Sequence, residues 1–431
     1  MQSVASCVDD FNISEWPDFV LLQVFAFLPL KSLSACGLTC TNWHRVAADP
    51  TLWPLRMEFD RFTNMNDVDA LLKVGGGNLE FISLRLVMDI NGMFEMIASG
   101  CPNLHALELD HCPSPSEMNL SALSRISGGC KNLRCFALRN MTLDEESMSA
   151  FTVVAKEFEF LSHVVLFKCF GISPSAIIRL VSDLDHLTHL DIEHLELDVR
   201  SLETVASRIG RTIKAFYFSV PVASDLHVLR WLENLEALGI HVFAGDSHTE
   251  DDFGIHIQRF RSLRVLRFTN LFAPVQVRDL LTAQLFPKLE HLSMFNCAPL
   301  SQPHLSGIVR CHKNLRHLCL DFRLSDSVVE VLADVCKQLT FLYFKFSASA
   351  SCRSLQLLDA KNLPKLGYLY VDDSKNIPTE FLSQLVEQRP DVRIICYGRT
   401  FFHYPKDQPI LKRMMNEILL FNPYLDLISV K

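Results

Sequence analysis

Residues Leu324–Phe344 read LSDSVVEVLADVCKQLTFLYF, and the hydrophobic period changes partway through this stretch. Val328, Val329, Leu332 and Cys336 recur at three- and four-residue steps, the stripe of an amphipathic helix. After Leu339 the period shortens to two, with Leu342 and Phe344 separated by Phe341 and Tyr343 on the opposite face, as on a short strand. A helix and a strand joined this closely cannot bury both apolar faces alone. Stacking many such units buries them in one continuous core.

The strand phrase, apolar-x-x-apolar-x-apolar, recurs across the chain. It begins with LEFISL at Leu79 and LHALEL at Leu104, and runs through LTHLDI at Leu187 and LRHLCL at Leu315 to VRIICY at Val392. There are 13 copies over residues 79–392, about 26 residues apart, inside the window of leucine-rich repeats. Helical patterns fill the intervals, as in AIIRLVSDLDHL (Ala176–Leu187) and FLSQLVEQRPDV (Phe381–Val392). The predicted fold class is α/β, with parallel strands on the concave face of a horseshoe-shaped solenoid and helices outside. At ~4.8 Å per strand, the inner arc would be roughly 55–60 Å long, a length suited to a protein ligand. The 22-residue interval from Ile213 to Leu235 predicts a local irregularity. PLRMEFDRF (Pro54–Phe62) reads as a connecting helix, Gly75–Asn78 as a turn and the acidic Asp246–Asp252 stretch as a protruding loop. Residues 1–14 read as a loose tail, and Pro409–Leu425 as a helix capping the end of the solenoid.

The N-terminal stretch Trp16–Trp53, WPDFVLLQVFAFLPLKSLSACGLTCTNWHRVAADPTLW, follows another plan. Pro17 suits a first helical turn, Val20, Leu21, Val24, Phe25 and Leu28 recur at helical spacing, and Pro29 ends the run. Two more short helices follow, around Leu30–Leu33 and around Cys40–Val46. About 40 residues cannot cover this many large apolar side chains alone, which marks a docking surface. The order of a residue–Pro pair, LL-x-VF-x-x-L, a Leu five on, C-x-x-W and a closing L-W resembles the F-box. The cysteines three residues before the strand phrase (Cys101, Cys130, Cys336) and eight residues after its start (Cys112, Cys169, Cys297) resemble the repeats commonly coupled to F-boxes. The resemblance implies an F-box at 15–60, a linker at 61–78, repeats at 79–400 and a C-terminal cap at 401–431. It further implies docking to a Skp1-type adaptor, and through it to a cullin ubiquitin ligase. Pro17, Leu21, Leu28, Leu33, Cys40 and Trp43 would lie at or beneath the adaptor contact, with Trp53 packing the module against its linker.

Composition narrows the alternatives. A hydrophobic content of 49% with 21% charged residues is that of a folded protein, and a net charge of −8 argues against nucleic acid as partner. No apolar run reaches the ~18 residues of a membrane span, and the first residues lack the pattern of a signal peptide. The expected location is cytosolic and/or nuclear, where the 14 cysteines would be reduced thiols. No motif for nucleophilic, metal-dependent or phosphate chemistry is present, so the chain is expected to be a non-catalytic subunit with no cofactor. Cys311, His312, His317 and Cys319 cluster in sequence, but strand alternation sends them to different faces, so no metal site is expected there.

The columns alternating with the strand leucines define the concave face. They carry the acids Glu108, Asp110, Asp191, Glu193, Asp321 and Asp372 against the bases Arg85, Arg139, Arg267 and Lys345. Histidines recur there at 163, 189, 241, 291 and 317. Phe341, Tyr343, Tyr368 and Tyr370 fall on two adjacent strands, with Lys345 and Asp372 at their edge, and form the expected substrate-binding patch. The expected partner is a protein, attracted electrostatically if basic. Two functions remain open at this point: a substrate receptor of a ubiquitin ligase, or a scaffold that acts without ubiquitin transfer.

Overall fold

The computed structural model describes residues 16–112, 118–243, 254–346, 354–372, 377–396 and 401–403. The N-terminal tail, the Asp246–Asp252 loop and the Pro409–Leu425 cap lie outside these residues. The chain divides after His186 into two compact units.

The first unit opens with three short helices, α1 (Asp18–Phe25), α2 (Leu30–Gly37) and α3 (Thr41–Ala47). Leu21, Phe25, Leu33 and Val46 are their shared core. Phe25 meets Trp43 edge to face with centroids 5.5 Å apart, and the Cys40 sulfur caps α3 by accepting from the Trp43 backbone N–H. There follow β1 (Arg56–Asp60), α4 (Met65–Gly75), β2 (Phe81–Arg85), α5 (Ile90–Gly100), β3 (Ala106–Asp110), α6 (Leu120–Gly129), β4 (Cys135–Arg139), α7 (Glu145–Ala155), β5 (His163–Phe167) and α8 (Pro174–Ser182). The strands β1 to β5 pair in parallel in chain order, with equivalent positions opposite each other: Phe81, Ala106, Cys135 and His163 form one row.

The stretch Pro54–Phe62, expected to be a helix, is instead strand β1. Its apolar residues Met57 and Phe59 stand two apart, and Arg56–Asp60 pairs residue for residue with Phe81–Arg85. Parallel pairing thus starts one strand before the first complete leucine phrase. Gly76–Asn78 forms the expected turn, here one of 3-10 type. Gly75 has a further role, because the Trp53 ring occupies the space a Cβ at Gly75 would need. Likewise a Cβ at Gly37 would come within 2.6 Å of Val74. The three-helix module therefore seats directly on α4. The Trp53 indole N–H donates to the Ala47 carbonyl, and Lys31 pairs with Asp67.

The second unit continues with β6 (His189–Ile192), α9 (Val199–Ile209), β7 (Ala215–Val220), β8 (Ala237–Val242), α10 (Gly254–Ile257), β9 (Val265–Thr269), α11 (Pro274–Thr282) and β10 (His291–Phe295). It closes with α12 (Gln302–Cys311), β11 (His317–Leu324), α13 (Asp326–Val335), β12 (Phe341–Phe346), β13 (Tyr368–Asp372), α14 (Thr379–Gln388), β14 (Arg393–Cys396) and β15 (Phe401–His403). Strands β6 to β14 run parallel in chain order, and β15 joins β14 antiparallel. The short interval between β7 and β8 holds a 3-10 helix, Ala223–Trp231, in place of an α-helix, the irregularity its length predicts.

Several helices in both units begin with the same device. The side chains of Asn64, Asp89, Asn119, Asp144, Ser173 and Asp198 each accept from a backbone N–H in the following turn. The twelve described cysteines are free thiols. Cys112 and Cys169 donate to the carbonyls of Leu84 and Leu138 on the preceding strand, and Cys297 to that of Phe268. Burial pushes the thiols of Cys101, Cys130 and Cys336 up to about 12, so they act as compact apolar side chains.

The position three residues before the strand phrase is a repeat-to-repeat donor site. Cys130 lies against the Ile97 carbonyl at 3.9 Å. In the same place His312 Nε2 is 2.9 Å from the Leu281 carbonyl. In the last repeat it is Arg389, 1% exposed, whose guanidinium donates to the carbonyls of Leu358, Leu363 and Leu366. The sequence points to the cysteines; the same offset from Leu315 and Val392 leads to His312 and Arg389.

Candidate functional site

The three-helix module divides its motif positions by depth. Leu21 and Leu33 are buried and hold the helices together, whereas Pro17 and Cys40 are exposed and Leu28 and Trp43 half-buried. The most accessible apolar side chains are others: Phe27 is 88% exposed, Phe19 65% and Leu38 53%, with Val24 also open. Sequence reasoning missed Phe19, Phe27 and Leu38. Their signal was a mismatch, since Phe19 and Phe27 fall off the Leu21–Phe25–Leu28 face. These four large side chains leave an apolar set in solvent on a small domain, the kind of surface that marks an interaction site in general.

The open strand face carries the second candidate surface. Its bases each meet an acid: Arg139 binds Glu108 at 2.9 Å, Arg85 lies 3.4 Å from Asp110, Lys345 is 2.6 Å from Asp321, and Arg267 binds Glu193. Asp372 accepts from the Tyr343 hydroxyl, and Asp191 from the Glu193 backbone N–H. With four of the six acids matched, the columns keep a net negative charge.

The aromatic patch assembles, with Phe341 opposite Tyr368, Tyr343 opposite Tyr370 and Lys345 opposite Asp372. Its members are not equally available. Tyr370 is fully buried and Tyr343 nearly so, in a cluster with Phe295, Cys319 and Ile395. Phe341 stacks over Tyr370 at 5.3 Å between centroids. Burial, with Asp321 and Asp372 close by, also raises the pKa of the Tyr343 hydroxyl. The two inner tyrosines, expected as contacts, are therefore support for the partly exposed Phe341, Tyr368, Lys345 and Asp372. Alternation along one strand shows which face a residue takes; it does not show how completely its neighbours cover it.

Next to this patch a row of rings runs across β10 to β13. His291 and His317 lie 4.3 Å apart, His317 and Phe341 5.7 Å, and Phe341 and Tyr368 6.3 Å, with the Arg393 guanidinium over Tyr368. Burial lowers the pKa of His317 to about 4 and, helped by the proximity of His317, that of His291 to about 2. His163 in the first unit is lowered to about 4 by burial and Arg134. These three stay neutral at physiological pH. Their unfolded forms take up protons near pH 6.5, so their stabilising contribution is complete above that pH and falls as pH drops toward 4. The melting temperature should fall on acidification from pH 7 to pH 5, and His317→Phe, which preserves the ring row, should reduce that slope. An unchanged slope in the variant would show that other groups carry it.

Comparison with known proteins agrees with this architecture. A family model described as F-box-like matches residues 13–54. The chain is similar to F-box/LRR-repeat protein 21 of Mus musculus, with 23% identity over 43% of this chain and 51% of that protein. The Bos taurus protein of the same name is 21% identical over the same shares. The chain thus spans about half the length of the curated relatives it matches. Among solved structures, a chain from the Rad7–Elc1 complex of yeast superposes with a TM-score of 0.54 at 16% identity, covering 93% of this chain and 94% of that one. No helix among the described residues is long and apolar enough to cross a membrane. Residues 13–54 are thus an F-box-like segment, and a leucine-rich-repeat sheet follows it, the combination found in the F-box/LRR-repeat proteins to which the chain is similar.

Proposed function

We propose that this protein is the substrate-recognition subunit of an SCF-type ubiquitin ligase, itself without covalent chemistry. The F-box docks a Skp1-type adaptor, and through it a cullin, while the open strand face of the repeats holds a target protein. The observation that carries this reading is the exposed apolar set Phe19, Val24, Phe27 and Leu38 on a module seated directly on the repeats. Pro17, Leu28, Cys40 and Trp43 would border the adaptor contact, with Leu21 and Leu33 supporting it from below. A neighbour in fold comes from the yeast complex of Rad7 and Elc1, a two-protein assembly. The mechanism is effective concentration: a lysine of the held target is kept near the enzyme that delivers ubiquitin.

The target surface would be the rim formed by Phe341, Tyr368, Lys345 and Asp372, with the net negative columns favouring a basic partner. The full chain, co-purified from cells of its source, should bring down a Skp1-type adaptor, a cullin and ubiquitin conjugates of its targets. Phe341→Ser with Tyr368→Ser should remove the conjugates and keep the adaptor. Conjugates that survive this pair but vanish with Asp191→Asn would move the target site toward β6. Targets recovered without adaptor or conjugates would favour a scaffold.

A further inference from the structure

We propose that Glu193, His194 and His241 form a site for a zinc-class divalent cation in the second unit. One donor atom from each lies within 4.8 Å of the other two. The topology explains how the site arises. Ile192 pairs with Phe218 and Ser219 with His241, so Glu193 falls opposite Ser219, with His241 one strand further on. Strands ~4.8 Å apart place two long donor side chains on either side of a small serine, leaving a gap above it. His194 enters the gap from the loop after β6. Its backbone adopts the left-handed region at φ 66°, and its N–H donates to the Ser219 hydroxyl at 2.7 Å. The His194 and His241 rings are 4.1 Å apart.

The carboxylate is already oriented. Arg267 holds Glu193 Oε2, while Oε1 points toward His194 Nε2 at 3.7 Å. The guanidinium is fixed in turn over the Tyr217 ring, at 4.8 Å. That ring fills the space a side chain at Gly239 would need, so glycine there is what lets Tyr217 lie across the strand. An outer hydrogen bond that fixes one oxygen and leaves the other for the ion is the usual support of a metal-ligating carboxylate. The cluster also contains two buried carboxylates, Asp191 and Glu193, and one buried guanidinium, Arg267. A divalent ion would offset the surplus negative charge. Two imidazoles and a carboxylate suit zinc, with metal–donor distances of about 2.0–2.2 Å and a fourth position for water. Modest side-chain rotation would close the donors onto the ion, and the partly exposed His194 marks the side by which it enters.

The test titrates the metal-depleted full chain with Zn²⁺, and with Co²⁺ as a spectroscopic substitute. The expected result is one tight equivalent, a raised melting temperature, and a tetrahedral Co²⁺ spectrum of nitrogen and oxygen donors without a thiolate charge-transfer band. Glu193→Gln and His241→Asn should each weaken that equivalent at least tenfold. Retained affinity in both variants, a thiolate band in the wild type, or no tight equivalent at all would overturn the site. If the variants fold poorly, the wild-type Co²⁺ spectrum still decides, since the proposed ligands include no sulfur.

Discussion

Phe27→Asp combined with Leu38→Asp should abolish capture of a Skp1-type adaptor while leaving the protein fully folded. Both side chains stand in solvent, at 88% and 53% exposure, so replacing them removes little internal packing. At an interface each would be a desolvated apolar anchor, and truncating such an anchor costs about 2 kcal/mol. Two together approach 4 kcal/mol, roughly a thousandfold in affinity, before the cost of burying two carboxylates is added. Leu21→Ala is the informative control. Leu21 is 1% exposed, so its loss should loosen the three-helix module itself, weakening capture together with the stability of residues 16–53. The measurement is adaptor affinity by calorimetry alongside thermal unfolding. Undiminished affinity in the aspartate pair would remove this face as the docking surface.

Arg389→Met should cause a large, local loss of stability at the end of the second unit. The guanidinium reaches the carbonyls of Leu358, Leu363 and Leu366 at 2.7–3.1 Å, and those three residues are themselves buried. Methionine fills much of the volume but leaves the Leu358 and Leu366 carbonyls without this donor, at about 1–3 kcal/mol for each group that stays buried and unmatched, while the Leu363 carbonyl keeps the Leu366 N–H. A total of about 3–5 kcal/mol matches the usual cost of breaking a buried charged network. Because repeats are coupled chiefly to their neighbours, the effect should be confined to β13, α14 and β14. Hydrogen exchange should show those elements opening while β7 and β8 keep their protection. Arg389→Lys should not rescue, since a single ammonium cannot span three carbonyls in a planar fork. Asp391→Asn should cost little, because that carboxylate is 61% exposed. Uniform destabilisation of the whole unit, or none, would contradict this assignment.

The strand phrase was legible in the sequence because Leu318 and Leu320, or Leu107 and Leu109, alternate on every copy. The three helices were legible because prolines and helical spacing bound them. The strand β1 escaped because Met57 and Phe59 alone are too short a pattern to distinguish from a turn of helix. Arg389 and His312 escaped for a different reason: they replace cysteine with side chains of other chemistry, and only the offset from the next leucine reveals the equivalence. The columns of the open face included Glu193 and His241 as polar surface, whereas the packed sheet buries both. Their proximity to each other depends on strand register across 47 intervening residues, which composition does not show. In the aromatic patch, the burial of Tyr370 comes from Phe341 and Ile395 on flanking strands. That is a property of the packed sheet, and the Tyr368–Asp372 segment does not contain it.

The seating of Trp53 on Gly75 also has a mechanical consequence. A tethered module explores a cone of orientations, and whatever it carries must search for its reaction partner by swinging. Here the indole sits in a notch that only glycine leaves open, and Val74 fills a second notch at Gly37, so rotation at the joint is blocked in steps of whole side chains. The first repeats and the helical module would move as one stiff lever. A partner gripped by the helical module would then be held at a set angle to α4 and the first strands rather than left to swing.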